Sequence, residues 1–319
     1  MRKECRGTYM KKVFVVGSLN MDLVIRTPIF PREGETVLGQ DFFLNPGGKG
    51  ANQAVASAKQ GAPTYLLGAT GNDLFGDQIK EGLTNYGVNS NLLKTKDVPT
   101  GVAMIVLHNG DNRIIVSPGA NYEYRLEEAK DDLKTHSNPG DIVVLQLEIK
   151  REIVEELIPF AKKLGLFVIF NPAPMCSLLD FKVLKDVDLL IMNEWEAKAL
   201  TKSEKDDLNT GAILEKLVTL GVKDVIITLG AKGGVFVHNG KIAYYDAFKS
   251  KVVDTTGAGD SFVGSLAAFL VNDESLQSAI KKASYVAAIT VSRKGAQQAI
   301  PTKAEVSIYF QEIKEKHAR

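Results

Sequence analysis

The sequence predicts an α/β fold in which helices cover both faces of a mainly parallel central sheet and a small β-sheet forms a lid. Short apolar runs alternate with helical segments along most of the 319 residues, which is typical of parallel sheets built from strand–helix–strand units. Two β-rich segments interrupt this alternation. We therefore predict a body at residues 11–18, 45–99 and 119–319, a lid made of two insertions at 19–44 and 100–118, and a disordered extension at 1–10.

The first part of the chain predicts one buried strand, the first lid segment and one helix. The apolar run at 12–17 ends in a glycine and is typical of a strand inside a sheet. Two prolines, followed by alternating residues at 36–43, favour antiparallel structure outside that sheet. Glycines before Lys49 begin an alanine-rich helix that we expect to end near Gln60, and a strand follows at 64–69.

The rest of the chain predicts a second β-rich segment and then a regular alternation. Asn109-Gly110 is typical of a hairpin turn and lies between expected strands at 101–107 and 113–116. A further hairpin is expected at 234–245. The remaining strands are predicted at 142–147, 167–170, 189–192 and 224–229, and the remaining helices at 151–164, 194–201, 212–220, 258–271 and 275–292.

Composition and charge restrict the class of protein. With 45% hydrophobic residues, the chain can bury a large core. Basic residues number 39 and acidic residues 38, so the charge balance predicts neither nucleic-acid binding nor attraction to an anionic membrane. Two cysteines, a polar N-terminus and the lack of an apolar run of about 18 residues favour a cytoplasmic protein without disulfides, signal peptide or membrane span.

The strongest chemical signal is the segment from Asp254 to Asp260, Asp-Thr-Thr-Gly-Ala-Gly-Asp, which leads into an apolar helix. A glycine-rich turn at a helix N-terminus exposes unpaired backbone N–H groups, and with the helix dipole these form an anion site. A carboxylate beside such a site suits proton abstraction from an attacking hydroxyl. The alternative is that Asp260 only complements the helix dipole.

Two further segments offer hydrogen-bonding groups for a hydroxylated ligand. Asn45-Pro-Gly-Gly-Lys-Gly-Ala-Asn-Gln53 differs from a Walker A loop because Lys49 is followed by glycine, but its glycines allow close backbone approach and Lys49 and Asn52 can bind hydroxyls. Asn20 and Asp22 follow the first strand and point the same way in extended chain, which suits vicinal hydroxyls. The alternatives are a glycine turn that caps a helix and a polar surface loop.

Two weaker signals follow later strands. Asn193 and Glu196 share a helical face and could hold Mg²⁺ through water, although the pattern is also that of a capping box. Thr228-Leu-Gly-Ala-Lys-Gly-Gly234 ends a strand in a glycine-rich turn that could approach a nucleotide or simply enter a hairpin. A dinucleotide-binding G-x-G-x-x-G motif does not follow the first strand, and the four histidines lack metal-ligand spacing.

Taken together, these segments resemble the ribokinase family of carbohydrate kinases, which also includes fructokinases and adenosine kinases. Gly257-Ala-Gly-Asp260 looks like the C-terminal signature of that family, and Pro46-Gly-Gly-Lys-Gly-Ala-Asn52 looks like its N-terminal one. The resemblance extends from about Lys12 to Thr302. It implies a central sheet flanked by helices, a β-lid over the sugar, a homodimer formed through the lids, and a requirement for ATP, Mg²⁺ and a monovalent cation such as K⁺.

The resemblance also assigns roles to individual residues. Asp260 would be the catalytic base, and the backbone amides of Gly257, Ala258, Gly259 and Asp260 would bind the transferred phosphoryl group. Glu196 would help to place Mg²⁺. The remaining implied sets are Asn20, Asp22, Gly48, Lys49, Asn52 and Glu148 for the sugar, Asn193, Thr228, Gly230, Gly233, Gly259 and Ser284 for ATP, and Asp254, Thr256, Thr290, Arg293, Gly295 and Ala299 for the monovalent cation.

Two positions depart from the pattern of the family. Many relatives carry serine where this chain has Ala299, which would leave the cation site one side-chain ligand short, and a polar residue such as asparagine is usual near Ser284. The segments around Asn20-Met-Asp22 and Arg293-Lys-Gly-Ala-Gln297 resemble those of family members that act on ribose, and this resemblance implies phosphorylation of D-ribose at its 5-hydroxyl. The alternatives are 2-deoxyribose, fructose or a nucleoside as acceptor, or a sugar sensor that does not turn over.

Overall fold

The structure is a computed structural model and describes residues 9–108, 111–201, 210–308 and 310. The helices are α1 (Lys49–Lys59), α2 (Leu74–Asn85), α3 (Leu126–His136), α4 (Arg151–Lys163), α5 (Glu194–Thr201), α6 (Thr210–Thr219), α7 (Ala258–Val271) and α8 (Leu276–Thr290). The strands are β1 (Val13–Val16), β2 (Asn20–Arg26), β3 (Gln40–Gly47), β4 (Thr64–Leu67), β5 (Ala69–Gly71), β6 (Lys94–Lys96), β7 (Gly101–His108), β8 (Asp111–Ser117), β9 (Ile142–Leu145), β10 (Phe167–Phe170), β11 (Leu189–Asn193), β12 (Asp224–Thr228), β13 (Gly234–His238) and β14 (Lys241–Tyr245).

An eight-stranded sheet forms the centre of the protein, in the order β14-β13-β12-β11-β10-β9-β1-β4. The six strands from β12 to β4 pair in parallel, and the hairpin of β13 and β14 adds two antiparallel strands at one edge. β1 lies between β4 and β9, so that Val13 is in register with both Thr64 and Ile142. The predicted α/β class with a mainly parallel sheet is confirmed.

Both faces of this sheet are buried, and the side chains of β1 show why its sequence is apolar throughout. Phe14 and Val16 join one core cluster, whereas Val13 and Val15 join the other. Helix α4 packs on the first face, and α1, α7 and α8 pack on the second. Because alternate residues of a strand point to opposite faces, a strand buried on both sides has no polar position.

Helices α1 and α7 approach each other very closely, and this contact positions the polar residues described below. A Cβ added at Gly264 in α7 would lie 2.0 Å from the backbone oxygen of Gln53 in α1. Only a glycine can occupy such a position, since the added carbon would overlap a backbone atom. The contact brings the N-terminal turn of α7 beside the middle of α1.

A second sheet of four strands has the order β3-β2-β7-β8. β2 pairs antiparallel with β3 and parallel with β7, and β7 pairs antiparallel with β8. Its strands come from the two segments that interrupt the strand–helix alternation. The predicted turn at Asn109-Gly110 lies outside the described residues. The strand predicted at 64–69 is divided at Gly68, and the part after it, β5, pairs with β6 in a separate small sheet.

The N-terminal residues that the structure describes contact the body. The hydroxyl of Tyr9 donates to Asp141 at 2.8 Å, and the side chain of Asp141 also accepts from the backbone of Lys12. Residues 1–8 of the predicted extension lie outside the described residues. Within the part of the chain that the structure describes, every helix is too short or too polar to cross a membrane.

Candidate active site

The polar residues singled out in the sequence come together where the parallel strands of the large sheet end. Ser18 follows β1, Glu148 follows β9, and Asn193 and Thr228 end their strands. The carboxyl ends of parallel strands meet at one edge of a sheet, where open α/β sheets bind ligands. A cavity of about 260 Å³ opens there, lined by Lys49, Asn171, Ala173, Ile191, Met192, Asn193, Glu196, Thr228, Thr255, Gly257, Ala258, Gly259, Asp260, Phe262 and Val263.

Asp260 lies in the first turn of α7 and is 9% exposed. The turn before it is left-handed at Gly257, with φ of 72°, and Gly257, Ala258 and Gly259 of this helix start line the cavity. The side chain of Asp260 is held from α1: Asn52 Nδ2 donates to Oδ2 at 3.1 Å and Gln53 Nε2 donates to Oδ1 at 3.1 Å. A carboxylate that only complemented the helix dipole would not need these two buried partners.

Lys49 lies among carboxylates at the start of α1. The negative charge of Asp260 raises the pKa of Lys49, and Glu148 and Glu196 act in the same direction against the effect of burial. Glu148 Oε2 accepts from the backbone N–H of Lys49 at 3.0 Å and from the hydroxyl of Ser18 at 2.5 Å. The ammonium group of Lys49 therefore stays protonated, which suits contact with phosphate or hydroxyl oxygens.

Asp22 is buried beside the same acidic group. Burial raises its pKa to about 7, and the charges of Glu148 and Asp260 add to the effect. Its carboxylate packs on the backbone of Gly47, where an added Cβ would lie 2.5 Å from Oδ2. The free site thus holds a carboxylate that changes its charge near neutral pH.

Asn20 is oriented by a residue that was not among the predicted site residues, Asn121. Asn121 Nδ2 donates to Asn20 Oδ1 at 2.8 Å and to the Leu19 carbonyl at 3.0 Å, and Asn121 Oδ1 accepts from the Leu19 N–H. These bonds fix which way the Asn20 amide points and leave its Nδ2 as the donor. Gly101 leaves space for the side chains of Asn20 and Asn121, since a Cβ added at Gly101 would lie 2.3 Å from Asn121 Nδ2.

The predicted nucleotide residues are only partly brought together. Asn193 and Glu196 exchange hydrogen bonds at 2.8 and 2.9 Å as a capping box, and both line the cavity with Thr228. Burial raises the pKa of Glu196, opposed by the Asn193 N–H and by the charge of Lys49. Ser284 does not line the cavity, and its hydroxyl donates to the Ile280 carbonyl.

The glycine-rich turn after β12 has the conformation that its sequence predicts. Gly230 and Gly233 have φ of 58° and 84°, and neither lines the cavity. A Cβ at Gly233 would lie 2.0 Å from the Tyr245 carbonyl, whereas one at Gly230 would enter open space. Gly233 is therefore required by the packing of the following hairpin, and the open surface at Gly230 is the one that a ligand could approach.

The residues predicted to hold a monovalent cation lie in the segment before α7, at the end of α8 and in the segment after α8. Asp254 Oδ1 accepts from the backbone and hydroxyl of Thr256, and Asp254 Oδ2 accepts from the Gly295 N–H at 2.9 Å. The hydroxyl of Thr290 donates to the carbonyl of Val286, and the Arg293 guanidinium pairs with Glu305. Ala299 is buried and adds no side-chain oxygen.

The two predicted cation sites offer few side-chain oxygens, so Mg²⁺ or a monovalent cation bound there would take most of its ligands from water, phosphate or backbone carbonyl oxygens. Among the described residues, no three acidic, histidine or cysteine side chains come close enough to hold a metal ion. Mg²⁺ prefers to keep several waters and to bind phosphates, so Glu196 and Asn193 suffice as protein contacts through water. A monovalent cation held by the segments before α7 and after α8 would take backbone carbonyl oxygens together with the Asp254 carboxylate, whose oxygens also accept hydrogen bonds.

Buried amides around Asp260 were also not among the predicted residues. Gln146 and Asn171 directly follow the buried strands β9 and β10, and polar residues at that place are a usable sequence signal in a parallel sheet. Gln53 and Gln297 carry no such signal, because their positions depend on how α1 packs against α7 and the loop after α8. Gln297 Nε2 donates to Asn52 Oδ1 at 3.2 Å.

Comparisons with known proteins identify the family of the chain. The model of the pfkB family of carbohydrate kinases matches residues 10–303. The chain is 37% identical to a ribokinase of Lactococcus lactis over 95% of this chain and 98% of that one, and 36% identical to a deoxyribokinase of Salmonella typhimurium over 93% and 98%. The structure of Arabidopsis thaliana ribokinase complexed with ribose and ATP superposes with a TM-score of 0.84 at 32% identity, covering 93% and 98% of the two chains.

These matches extend over nearly the whole chain and include both signature segments, and they confirm the resemblance that the sequence predicted. The chain therefore belongs to the pfkB family of carbohydrate kinases.

Proposed function

We propose that this protein transfers the γ-phosphoryl group of ATP to the 5-hydroxyl of D-ribose and releases D-ribose 5-phosphate and ADP. The observation that carries this proposal is the position of Asp260. Its carboxylate lines a cavity together with the first backbone amides of α7, Lys49 and the Asn193–Glu196 pair. A proton acceptor, an anion site and oxygen ligands for Mg²⁺ within one cavity are the components of phosphoryl transfer to an alcohol.

In the proposed step, the 5-hydroxyl oxygen attacks the γ-phosphorus while its proton passes to Asp260. The bond between the γ-phosphorus and the β–γ bridging oxygen breaks, and ADP leaves. The backbone N–H groups of Gly257, Ala258, Gly259 and Asp260 stabilise the charge on the equatorial oxygens of the phosphoryl group. Mg²⁺, placed near Glu196, would neutralise charge on the phosphates of ATP, and K⁺ held by the segments before α7 and after α8 would support the anion site.

Asn20 and Asp22 favour ribose as the acceptor. Asn121 orients the amide of Asn20, and the Asp22 carboxylate is buried on the same strand. A sugar that lacks the 2-hydroxyl would leave one of these groups unpaired, at about 1–3 kcal/mol. Because a ribokinase and a deoxyribokinase match the chain at 37% and 36% identity, identity alone does not separate the two acceptors, and these two residues support ribose.

We further propose that the four-stranded sheet closes over the sugar and pairs with the same sheet of a second subunit. Met104 and Ile115 lie opposite each other on β7 and β8 and are 53% and 71% exposed. Adjacent exposed apolar side chains are typical of interaction surfaces. Sedimentation should show a dimer that Ile115→Glu converts to monomer, whereas Tyr244→Glu, an exposed position on β14, should leave the mass unchanged. A cytoplasmic location fits the requirement for ATP.

The function is tested by ADP release with Mg-ATP and K⁺, offering D-ribose, 2-deoxyribose, fructose and adenosine in parallel. We expect turnover on ribose, and Asp260→Asn should lower kcat by about 10²–10⁴-fold without loss of folding. Replacement of K⁺ by tetramethylammonium tests the cation at the same time. Turnover on another member of the panel would correct the acceptor. Sugar binding without ADP production would instead identify a sensor.

A further inference from the structure

A chain of buried amides leads to Asp260 from the side opposite the cavity. Gln53 is 0% exposed and does not line the cavity. Its Nε2 donates to Asp260 Oδ1 at 3.1 Å and to Asn171 Oδ1 at 3.2 Å, and its Oε1 accepts from Gln146 Nε2 at 2.6 Å. Both N–H groups of Gln53 are thus engaged by protein partners and are not available to a substrate.

A backbone carbonyl determines which way the amide groups in this series of hydrogen bonds point. Asn171 Nδ2 donates to the carbonyl of Ile191 at 2.9 Å, so Asn171 Oδ1 faces Gln53 as an acceptor. Gln53 must then present its Nε2, and the same nitrogen reaches Asp260. An inverted Gln53 amide would place oxygen against the oxygens of both Asn171 and Asp260, which is unfavourable in a buried site.

Gln146 holds the other end of the Gln53 amide, and the fold makes room for it. Gln146 Oε1 occupies the place that a Cβ would take at Gly17, at 2.0 Å. Gly17 directly follows β1 and Gln146 directly follows the neighbouring β9. Gly17 is therefore needed for the turn after β1 and also to leave space for the side chain of Gln146.

The two oxygens of Asp260 are held by neighbouring residues of α1. Asn52 donates a hydrogen bond to Oδ2 and Gln53 donates one to Oδ1, so rotation of the carboxylate about its Cβ–Cγ bond would break both hydrogen bonds. Asn52 and Gln53 orient the carboxylate through neutral amide groups and add no positive charge to it. Correct orientation of a reacting group contributes strongly to rate.

We propose that Gln53 is a positioning residue that fixes the Asp260 carboxylate in the orientation needed to accept the proton of the sugar, with Asn171 and Gln146 fixing Gln53 in turn. This role rests on the proposed kinase function. Gln53 acts through Asp260 and touches neither substrate. Its removal should therefore lower kcat and leave the KM values for sugar and ATP nearly unchanged.

The test is a double-mutant cycle on kcat with Gln53→Met, which keeps side-chain length and removes the amide. Loss of one hydrogen bond to a charged group predicts a kcat about 10–100-fold lower, with both KM values within about threefold. In an Asp260→Asn background, the same substitution should change the residual kcat less than about twofold, since the group on which Gln53 acts is already gone.

Gln60→Met is the matched control. Gln60 is a buried glutamine at the end of α1 whose Nε2 donates to the Pro301 carbonyl, away from Asp260, so its replacement should lower the melting temperature and leave kcat within about twofold. If Gln53→Met does not fold, Gln146→Met in the same cycle replaces it and should show a smaller loss of kcat with the same non-additivity.

The outcomes separate the two proposals. An unchanged kcat in folded Gln53→Met, or effects of Gln53→Met and Asp260→Asn that multiply, would overturn the positioning role while the kinase function stands. Absence of turnover by the unmodified protein on every acceptor would overturn both.

Discussion

Asp22 gives a prediction that links stability to sugar binding. The side chain is 8% exposed, and burial together with Glu148 and Asp260 raises its pKa from 3.8 to about 7. The folded protein therefore binds a proton that the unfolded chain has released between these two pH values, and stability falls as pH rises through that range. The Asp22→Asn variant removes this charge while keeping the shape of the side chain.

The magnitude follows from the two pKa values. The raised pKa of Asp22 lowers the free energy of unfolding by about 2 kcal/mol at pH 5, where only the unfolded chain has ionised, and by about 4 kcal/mol at pH 8. The advantage of Asp22→Asn over the unmodified protein should thus grow by roughly 2 to 3 kcal/mol between these pH values. For a chain of 319 residues this corresponds to a relative gain of about 4 °C in melting temperature.

The assay is thermal or urea unfolding of both proteins at pH 5 and pH 8, without and with saturating D-ribose. Effects of the substitution that do not depend on pH cancel in the comparison. At pH 8 ribose should raise the melting temperature of the unmodified protein and have little effect on Asp22→Asn, which has lost an acceptor for the sugar hydroxyls. An equal stability difference at both pH values would show that folding does not raise the pKa of Asp22, and the reasoning would fail.

Three further substitutions test other parts of the site. Gly48→Ala should raise the KM for ribose and destabilise the fold by about 1–3 kcal/mol, because φ at Gly48 is 89° and the added Cβ would lie 2.8 Å from a backbone oxygen. Gly82→Ala is the folding control, since a Cβ added at Gly82 in α2 would enter open space. Glu196→Gln should raise the Mg²⁺ concentration for half-maximal rate by about tenfold, with the KM for ribose unchanged. Asn121→Ala should raise the KM for ribose by about 5–30-fold with little change in kcat, since Asn20 loses its orienting partner, and an unchanged KM would contradict that role.

The parts of the fold that were predicted are those in which one segment suffices to specify its own structure. The apolar run at Val13–Val16 needs burial on both faces and can only be an inner strand. Helices α2 and α3 were not predicted. Their sequences are charged, with few apolar positions, and only a short row of buried residues on each faces the protein. Such helices are stabilised by packing and capping, as by Asp73 at the start of α2, more than by their apolar pattern.

The candidate site shows the same division between local and long-range information. The segment from Asp254 to Asp260 makes its own turn and helix start, so its chemistry can be predicted from its residue types. The partners that orient Asp260 and Asn20 are separated from them by about two hundred and one hundred residues of chain. Nothing in the local sequence of Gln53 or Asn121 distinguishes them from ordinary buried amides.

The close contact of α1 and α7 places two amide side chains against Asp260. With the backbone of α1 against Gly264, the buried side chains of Asn52 and Gln53 reach the two oxygens of the Asp260 carboxylate. Lys49, one turn earlier in the same helix, lines the cavity, and under the proposed function its positive charge would contact the phosphoryl group. A single helix thus carries both the lysine of the cavity and the two amides that hold Asp260, and this arrangement depends on the helix crossing as much as on the signature residues.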